Sequence, residues 1–304
     1  MVIGIGDDAA LTQVPPNQYL ATTTDTMVEN VHFLPNTNAK HVAHKAIASN
    51  LSDLAAIGAE PSWISLSLSL PSADEAWLES FSEKIHELSE YFSIQLIGGD
   101  TVKGPLAVTI TAQGFVPTDS ALTRCGAKNN DWIFVTGCLG DAGAGLDILQ
   151  KKLTVSDVAA RDYLVSRYHT PTPRVLAGTV LRRLASACID ISDGLLQDVM
   201  HIADASGTGV LLHLEKLPIS PALGNNVEEL EQALLYATSA GDDYELLFTV
   251  SEEQRTKVQT ALDSYSIPHC CIGQMTGAVG KLDLRLNDQA FEFSKDNSNG
   301  YSHF

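Results

Sequence analysis

Hydrophobic and polar residues alternate along the chain in short segments of two kinds, which predict strands interleaved with helices. The clearest strand is 63–70, where aliphatic residues alternate with serines until Pro71 ends the pattern. The clearest helices are 39–57, with Asn38 as N-cap, and 72–92, because their apolar residues recur every three or four positions. Further strands are predicted at 2–5, 19–24, 94–97, 106–116, 132–136, 209–214, 245–250, 269–273 and 282–286, and further helices at 174–185 and 227–235.

This interleaving occurs without a βαβ dinucleotide-binding fingerprint, which predicts an α+β (mixed α/β) fold. The 304 residues exceed the usual size of one compact core. A polar connector, 123–131, separates two halves, so we expect domains at 1–125 and 126–304. The glycines of 137–145 resemble a phosphate loop but lack its Lys and Ser/Thr, so we interpret them as a tight strand-to-helix turn.

Several apolar or glycine-containing runs end in aspartate, and this repeated pattern is the main functional signal. The runs end at Asp8, Asp25, Asp100, Asp190 and Asp243. A buried carboxylate without a partner costs several kcal/mol, so Asp190, inside an apolar strand pattern, needs a proton, a cation or a polar cleft. We therefore predict that these strand ends converge on one polyvalent metal site. Taken singly, each aspartate also fits an ordinary turn, and Asp193 fits a helix N-cap.

Other polar residues carry two interpretations each. His32 is either a solvated loop residue or a substrate contact, and Arg124 is either a surface residue or a phosphate ligand. Lys45, Ser49 and Asp53 form one polar stripe on helix 39–57, which is either a solvated face or the wall of a site. The serine face of strand 63–70 is either solvated or meets another subunit or a barrel interior.

Charge and cysteine content limit the possible partners and compartments. With 37 acidic against 19 basic residues the net charge is −18, which argues against nucleic acid and anionic membrane surfaces as partners. Phosphate ligands remain possible if divalent cations intervene. No apolar run is long enough to span a bilayer, and the N-terminus lacks a secretion-signal pattern. Five cysteines without Cys-x-x-Cys spacing predict reduced thiols, so we expect a cytoplasmic protein.

Six motifs in series give the chain a resemblance to a known family. They are Gly4-Ile-Gly-Asp-Asp8, Thr24-Asp25-Thr26 with Asn30-Val-His32-Phe33, Asn50-Leu-Ser-Asp53 through Gly58, Ile97-Gly-Gly-Asp100-Thr101, Asp190-Ile-Ser-Asp193-Gly194 and Gly241-Asp-Asp-Tyr-Glu-Leu246. Together they resemble the bacterial thiamine-monophosphate kinases, of the superfamily that includes aminoimidazole ribonucleotide synthetase and selenophosphate synthetase. The likeness extends from Gly4 to Tyr301.

The resemblance implies ATP-dependent phosphorylation of thiamine monophosphate to thiamine diphosphate, by direct in-line transfer on several Mg²⁺ ions. It implies an N-terminal metal- and ATP-binding domain whose strands close a barrel in a homodimer. The implied metal ligands are Asp8, Thr23, Thr24, Asp25, Asp53, Asp100, Asp190 and Asp193. The implied nucleotide contacts are Gly99, Asp100, Arg124 and Ser192, and the implied contacts to thiamine phosphate are His32, Asp242 and Tyr301.

A phosphate oxyanion is already a nucleophile, so we expect no general base, and Asp100 is the hypothesis for a central bridging ligand. Asp100→Asn is then expected to cut turnover by orders of magnitude with folding intact. The family carries a further helical stretch before Gly4 and more often has Glu where this chain has Asp242. Two rivals stay open: another ATP-using enzyme of the superfamily, and a non-catalytic sensor of thiamine phosphates or nucleotide.

Overall fold

The computed structural model describes residues 2–293, in which helices and strands are interleaved. The strands are β1 (Gln18–Val28), β2 (Glu60–Leu70), β3 (Gln95–Lys103), β4 (Ala107–Pro117), β5 (Trp132–Thr136), β6 (Ala187–Asp190), β7 (Gly209–His213), β8 (Leu246–Val250), β9 (His269–Thr276), β10 (Leu282–Leu286) and β11 (Gln289–Ala290). The helices are α1 (Ala39–Ala56), α2 (Glu75–Tyr91), α3 (Asp141–Leu149), α4 (Val158–His169), α5 (Val175–Leu181), α6 (Leu195–Ser206), α7 (Pro221–Gly224), α8 (Leu230–Ser239) and α9 (Glu252–Ser264), with a 3₁₀ turn at Leu214–Lys216.

The strands form two sheets. The first has four strands in the order β1-β4-β2-β3, in which β4 is antiparallel to both its neighbours and β2 is parallel to β3. The second has seven strands in the order β11-β10-β7-β9-β5-β8-β6, and only its β10–β7 pair is parallel. This mixed α/β architecture confirms the predicted fold class.

The two faces of the four-stranded sheet differ in chemistry, as the alternation along strand 63–70 predicts. Side chains in one row across a sheet share a face. Ile110 of β4 and Leu66 of β2 belong to the row that begins with Asp25, and their face packs against α1 and α2 in a core around Ile47 and Phe81. The adjacent rows carry hydroxyls, with Thr24 paired to Thr111 and Thr26 to Thr109, each pair at 2.9 Å between Oγ1 atoms.

Helix α1 follows its predicted range closely. The Asn38 side chain accepts a hydrogen bond from the Lys40 amide, which confirms it as the N-cap. Lys45 and Ser49 are each only 3% exposed, so the interpretation of their stripe as a solvated face is wrong. The stripe is buried because this face of α1 turns toward the loops of the second sheet, and it becomes part of the site described below.

Several boundaries differ from the prediction for identifiable reasons. Residues 2–5 form isolated bridges rather than a strand, through the pairs Ile3–Leu11 and Ile5–Asp7. Strand β3 continues through Gly98 and Gly99 as far as Lys103, because pairing with β2 outweighs the turn tendency of two glycines. The helix predicted at 174–185 ends at Leu181. None of the helices within residues 2–293 is long and apolar enough to cross a bilayer.

Candidate active site

Three aspartates from three different elements line one cavity between the two sheets. Asp25 lies on β1, Asp53 near the end of α1, and Asp190 at the end of β6. The cavity has a volume of ≈ 290 Å³. Its wall also includes the predicted residues His32, Ser192, Asp193 and Asp242. The structure therefore brings together seven of the residues that the sequence and the resemblance nominated.

A second cavity, of ≈ 600 Å³, meets the first at two of these carboxylates. It is lined by Thr23, Arg124 and the apolar side chains of Leu54, Ile57 and Leu122, among others. Asp53 and Asp190 line both cavities. The two carboxylates thus lie at the junction, where a molecule bound in one cavity would face a molecule bound in the other.

The hydrogen bonds of Asp53 and Asp190 come from neighbouring hydroxyls. Thr23 Oγ1 donates to Asp53 Oδ2, and Ser52 Oγ donates to Asp190 Oδ2 at 2.7 Å. Thr23 points toward α1 in this way, whereas Thr24, the next residue of β1, points to the opposite face of the sheet. A hydroxyl donor orients a carboxylate without cancelling its charge.

Burial and mutual repulsion raise the pKa values of these carboxyl groups. Loss of solvation, with the charge of Asp25 second, raises the pKa of Asp53 to about 6. Burial, followed by the charge of Asp53, raises the pKa of Asp190 to about 8, and burial raises the pKa of Asp25. Carboxylates that disfavour one another's ionisation would be stabilised together by a bound cation. This donor set of carboxylate and hydroxyl oxygens fits Mg²⁺, which prefers hard oxygen ligands.

The turn from β6 into α6 is held by a residue that the sequence analysis did not nominate. Asp198 Oδ2 accepts from the backbone amides of Ser192, Asp193 and Gly194, at 3.1, 3.2 and 3.2 Å. The N-cap of α6 is Gly194, and Asp193 instead accepts from Gln197 Nε2 at 2.9 Å, so the interpretation of Asp193 as a side-chain cap is wrong. Asp193 is left facing the first cavity.

Asp193, Asp198 and His201 also offer one ligand atom each within 4.8 Å of one another. The Asp198 oxygen that holds the turn already accepts three amide hydrogens. We therefore assign Asp198 the structural role of holding the turn, and we do not count this group of three side chains as a separate metal site.

Lys45, which the sequence analysis placed on the polar stripe but assigned no role, is a second additional residue of the site. Its ammonium group donates to Asp242 Oδ2 at 2.7 Å and to the backbone oxygen of His32 at 3.1 Å. The stripe spacing placed Lys45 on the same face of α1 as Asp53. No pattern in the sequence indicates that its partner is Asp242, which lies 197 residues further along the chain.

Five nominated residues lie away from the two cavities, so the predicted convergence of aspartate-ended runs holds only for Asp25 and Asp190. Asp243 is buried and accepts from the Gly140 amide at 3.0 and 2.9 Å. Asp8 is exposed in the N-terminal segment, and Gly99 and Asp100 are exposed on the edge strand β3. Thr24 lies on the face of the four-stranded sheet that carries the threonine hydroxyls, opposite the face that packs on α1 and α2. Tyr301 lies outside the described residues. Gly99 is needed for backbone packing, since a Cβ there would lie 2.0 Å from the Leu66 oxygen.

Asp100 belongs to the same row across the sheet as Ser67, Thr109 and Thr26. Three strand spacings of about 4.8 Å separate β3 from β1, so Asp100 is roughly 14 Å from β1 on the face opposite Asp25. Within one subunit, Asp100 is therefore not among the carboxylates that meet at the cavities.

Comparisons with known proteins identify the family of this chain. The family described as "AIR synthase related protein, N-terminal domain" matches residues 6–116, and "AIR synthase related protein, C-terminal domain" matches residues 128–284. The thiamine-monophosphate kinase of Escherichia coli (strain K12) is 50% identical over 302 residues, which cover 99% of this chain and 92% of that protein. This chain belongs to the thiamine-monophosphate kinase family. The resemblance in the motifs is thereby confirmed over nearly the full length.

Solved structures of this family share the fold. Thiamine-monophosphate kinase from Stenotrophomonas maltophilia K279a superposes with a TM-score of 0.87 at 41% identity, covering 95% of this chain and 92% of that one. AaThiL complexed with AMPPCP and TMP superposes with a TM-score of 0.82 at 31% identity, covering 99% and 92%. That relative is described as complexed with AMPPCP and TMP.

Proposed function

We propose that this protein transfers the γ-phosphoryl group of ATP to the phosphate of thiamine monophosphate, giving thiamine diphosphate and ADP. The single observation that carries the proposal is that Asp53 and Asp190 line two cavities at once. A phosphoryl donor and an anionic acceptor need separate binding spaces that meet at a centre able to neutralise charge. Membership of the family and the structure of a relative with AMPPCP and TMP support the same activity.

We assign the donor to the cavity lined by Thr23 and Arg124 and the acceptor to the cavity lined by His32 and Asp242. Arg124 contributes a positive charge on the donor side that lowers the pKa of Asp53. Guanidinium groups bind phosphate oxygens in a bidentate manner, so this residue fits a polyphosphate. Asp193 and Ser192 line the cavity that we assign to the acceptor, so the proposal places Ser192 on the acceptor side, although the resemblance implies a nucleotide contact for it.

Asp25, Asp53, Asp190 and Asp193 would hold Mg²⁺, with the Thr23 hydroxyl orienting Asp53. Bound Mg²⁺ supplies neutralisation of the phosphate charges and a fixed geometry for in-line displacement. The chain's own contribution is to position the two substrates and to exclude water around the buried carboxylates. The acceptor oxyanion attacks the γ-phosphorus as the bond to the β,γ-bridging oxygen of ATP breaks, and ADP leaves. No side chain needs to remove a proton, so the proposal contains no general base and no phosphoenzyme.

Asp100 retains its predicted role only if a second subunit takes part. The exposed strands β1 and β3 are the two edges of the four-stranded sheet. In a homodimer in which β3 of one subunit pairs with β1 of the other, the strand that carries Asp100 would lie beside the partner's β1, rather than three strand spacings from β1 as within its own subunit. Such pairing also closes both open edges into a barrel, which removes unpaired backbone groups from solvent.

The domain boundary and the compartment are parts of the same proposal. We place the boundary between residues 125 and 126, in the connector between the four-stranded and seven-stranded sheets. The five cysteines are free thiols, and free thiols persist in a reducing compartment, which supports a cytoplasmic location.

The decisive experiment measures thiamine diphosphate and ADP formed from ATP and thiamine monophosphate, with Mg²⁺ and with excess chelator. We expect equimolar products with Mg²⁺ and none with chelator. Binding of ATP and thiamine monophosphate without product would instead identify a sensor. ADP formed with another acceptor, and none with thiamine monophosphate, would identify a different enzyme of the superfamily.

A further inference from the structure

Lys45 is a buried cation at the back of the acceptor cavity, and the proposed reaction gives it no role. Its side chain is 4% exposed, and its Nζ atom lies 2.7 Å from Asp242 Oδ2 and 3.1 Å from the His32 backbone oxygen. The same atom lies 4.0 Å from the centre of the Tyr168 ring. An ammonium group with two oxygen acceptors and an aromatic face has its hydrogen-bonding capacity engaged by the protein.

The three partners of Lys45 come from three separate segments that line the acceptor cavity. His32 follows β1, Tyr168 stands near the end of α4, and Asp242 lies between α8 and β8. Tyr168 OH also donates to the His32 backbone oxygen at 3.2 Å, so two of these segments share one acceptor atom. Through this one side chain, helix α1 contacts three of the segments that line the cavity.

The segment that carries Asp242 adopts a backbone conformation that needs such support. Asp242 and Tyr244 have φ values of 60° and 51°, in the left-handed region that side chains other than glycine rarely occupy. Tyr244 OH donates to Asp242 Oδ1 at 3.1 Å, while Lys45 holds Oδ2. Both oxygens of the carboxylate are therefore fixed. Residues in such conformations persist where surrounding contacts hold them, and they concentrate at functional sites.

We propose that Lys45 is a positioning residue for the acceptor, acting through Asp242 and His32. By pairing with Asp242 it also keeps that carboxylate from adding an uncompensated negative charge to a cavity that admits an anionic phosphate. This inference rests on the proposed function, because it assigns thiamine monophosphate to this cavity. The competing account is that the ion pair only stabilises the fold.

The test compares Lys45→Met with Lys40→Met. Lys40 lies on the same helix and forms an ion pair at a similar distance, 2.9 Å to Glu83, but both side chains are exposed. For Lys45→Met we expect the KM for thiamine monophosphate to rise tenfold or more and the KM for ATP to stay within twofold of wild type. For Lys40→Met we expect neither KM to change by more than twofold. A purely structural role predicts no selective effect on one substrate.

A double-mutant cycle with Asp242→Asn shows whether Lys45 acts through Asp242. We expect the variant Lys45→Met/Asp242→Asn to raise the KM for thiamine monophosphate no more than the more affected of the two single variants, since both substitutions remove the same contact. If Lys45→Met does not fold because it leaves Asp242 unpaired, the double variant and Asp242→Asn provide the same comparison. Additive effects, or equal increases of both KM values, would overturn the proposal.

Calorimetric titration of thiamine monophosphate into the same variants separates this inference from the proposed function. A wild-type protein that binds thiamine monophosphate but does not phosphorylate it contradicts the proposed reaction, and the role of Lys45 is then read from the dissociation constants. We expect the dissociation constant to rise tenfold or more for Lys45→Met. A value within twofold of wild type, in a folded variant, rules out the positioning role.

Discussion

The buried carboxyl groups of Asp53 and Asp190 lower the stability of the fold, and we attribute their presence to the proposed binding of a cation. Burial raises the pKa of both carboxyl groups; the charge of Asp25 adds to the effect on Asp53, and the charge of Asp53 adds to the effect on Asp190. If these carboxyl groups had no function, replacing one of them with a neutral residue would increase the stability of the fold. Their retention at the junction of two cavities makes sense if a cation and phosphate groups complete the arrangement.

Asp190→Asn tests this trade-off directly. We expect kcat to fall by about 100-fold or more, because the substitution removes one of the proposed metal ligands. We also expect the melting temperature of the metal-free protein to stay the same or rise by about 2 °C, since the cost of burying this carboxyl group and its repulsion with Asp53 both disappear. The measurements are steady-state kinetics with Mg²⁺ and calorimetric melting in chelator. Asp204→Asn, an exposed position on α6, is the control for both. A clear loss of metal-free stability in Asp190→Asn would argue that the carboxylate is structural.

Arg124→Ala tests which cavity receives the nucleotide. A charged hydrogen bond to phosphate contributes about 1.5–3 kcal/mol, and Arg124 is exposed, so we expect a rise of about tenfold in the KM for ATP. The KM for thiamine monophosphate is expected to change by less than twofold. Arg161→Ala, which removes an exposed arginine on α4, is the control. Should the KM for thiamine monophosphate rise instead, the two cavities have been assigned in the wrong order.

The difference between the site residues found and missed has a physical cause. Asp25 and Asp190 could be nominated from the sequence, because a carboxylate tied to an apolar run is visible as an anomaly at its own position. Asp53 was nominated from the polar stripe on its helix and from the family resemblance. Asp198 could not be nominated, because it looks like an ordinary residue on a helix. Lys45 could be placed on the stripe with Asp53, but its contact with Asp242 could not be predicted. Their roles come from partners that only the folded chain supplies: the Asp242 carboxylate for Lys45, and three amides of a tight turn for Asp198.

At the scale of elements, helix α1 connects the first core to the site. Its apolar residues pack on the four-stranded sheet, while Lys45, Ser49 and Asp53 face the acceptor cavity or its supporting contacts. Helix α5 packs closely against the end of α1, because Gly178 has no side chain. A Cβ at Gly178 would lie 2.0 Å from the backbone oxygen of Ala55.

Gly178→Ala is therefore expected to push α5 and α1 apart. We expect the free energy of unfolding to fall by about 1–3 kcal/mol, the usual cost of overpacking, as measured by urea denaturation. Because Asp53 lies two residues before Ala55, kcat should fall as well. Gly224→Ala is the matched control, since its added Cβ would meet only Ile219 Cγ2 at an ordinary 3.6 Å. Equal stability of the two variants would show that the helices can separate at no cost.

Most elements could be predicted because their periodicity is a local property. Strand 63–70 and helix 39–57 appear within a few residues of their expected bounds. The errors fall where pairing between distant segments decides the outcome, as in β3, which continues through two glycines because β2 lies alongside. The order of strands in the two sheets was not available from periodicity, since it depends on contacts across the whole chain.

At the scale of the whole molecule, the main question is whether one subunit contains a complete site. Asp25, Asp53 and Asp190 meet within one subunit, whereas Asp100 lies at the far edge of the first sheet and on its other face. Both edges of that sheet, β1 and β3, carry unpaired backbone groups along strands of 11 and 9 residues. Long open edges of this kind are usually covered in native proteins.

Mixing two inactive variants distinguishes a shared site from one contained in each subunit. Subunits with Asp100→Asn and subunits with Asp190→Asn are unfolded together and refolded at equal concentration. If Asp100 acts on the partner's site, each mixed dimer has one site in which both aspartates are intact, and random pairing makes half of the dimers mixed. We then expect about a quarter of wild-type activity, although each variant refolded alone is inactive. If Asp100 acts within its own subunit, every site in the mixture lacks one aspartate, and no activity returns.

A shared site also requires that the wild-type protein is a dimer at the assay concentration, which analytical ultracentrifugation tests independently. Full activity of Asp100→Asn alone would remove this residue from the site altogether.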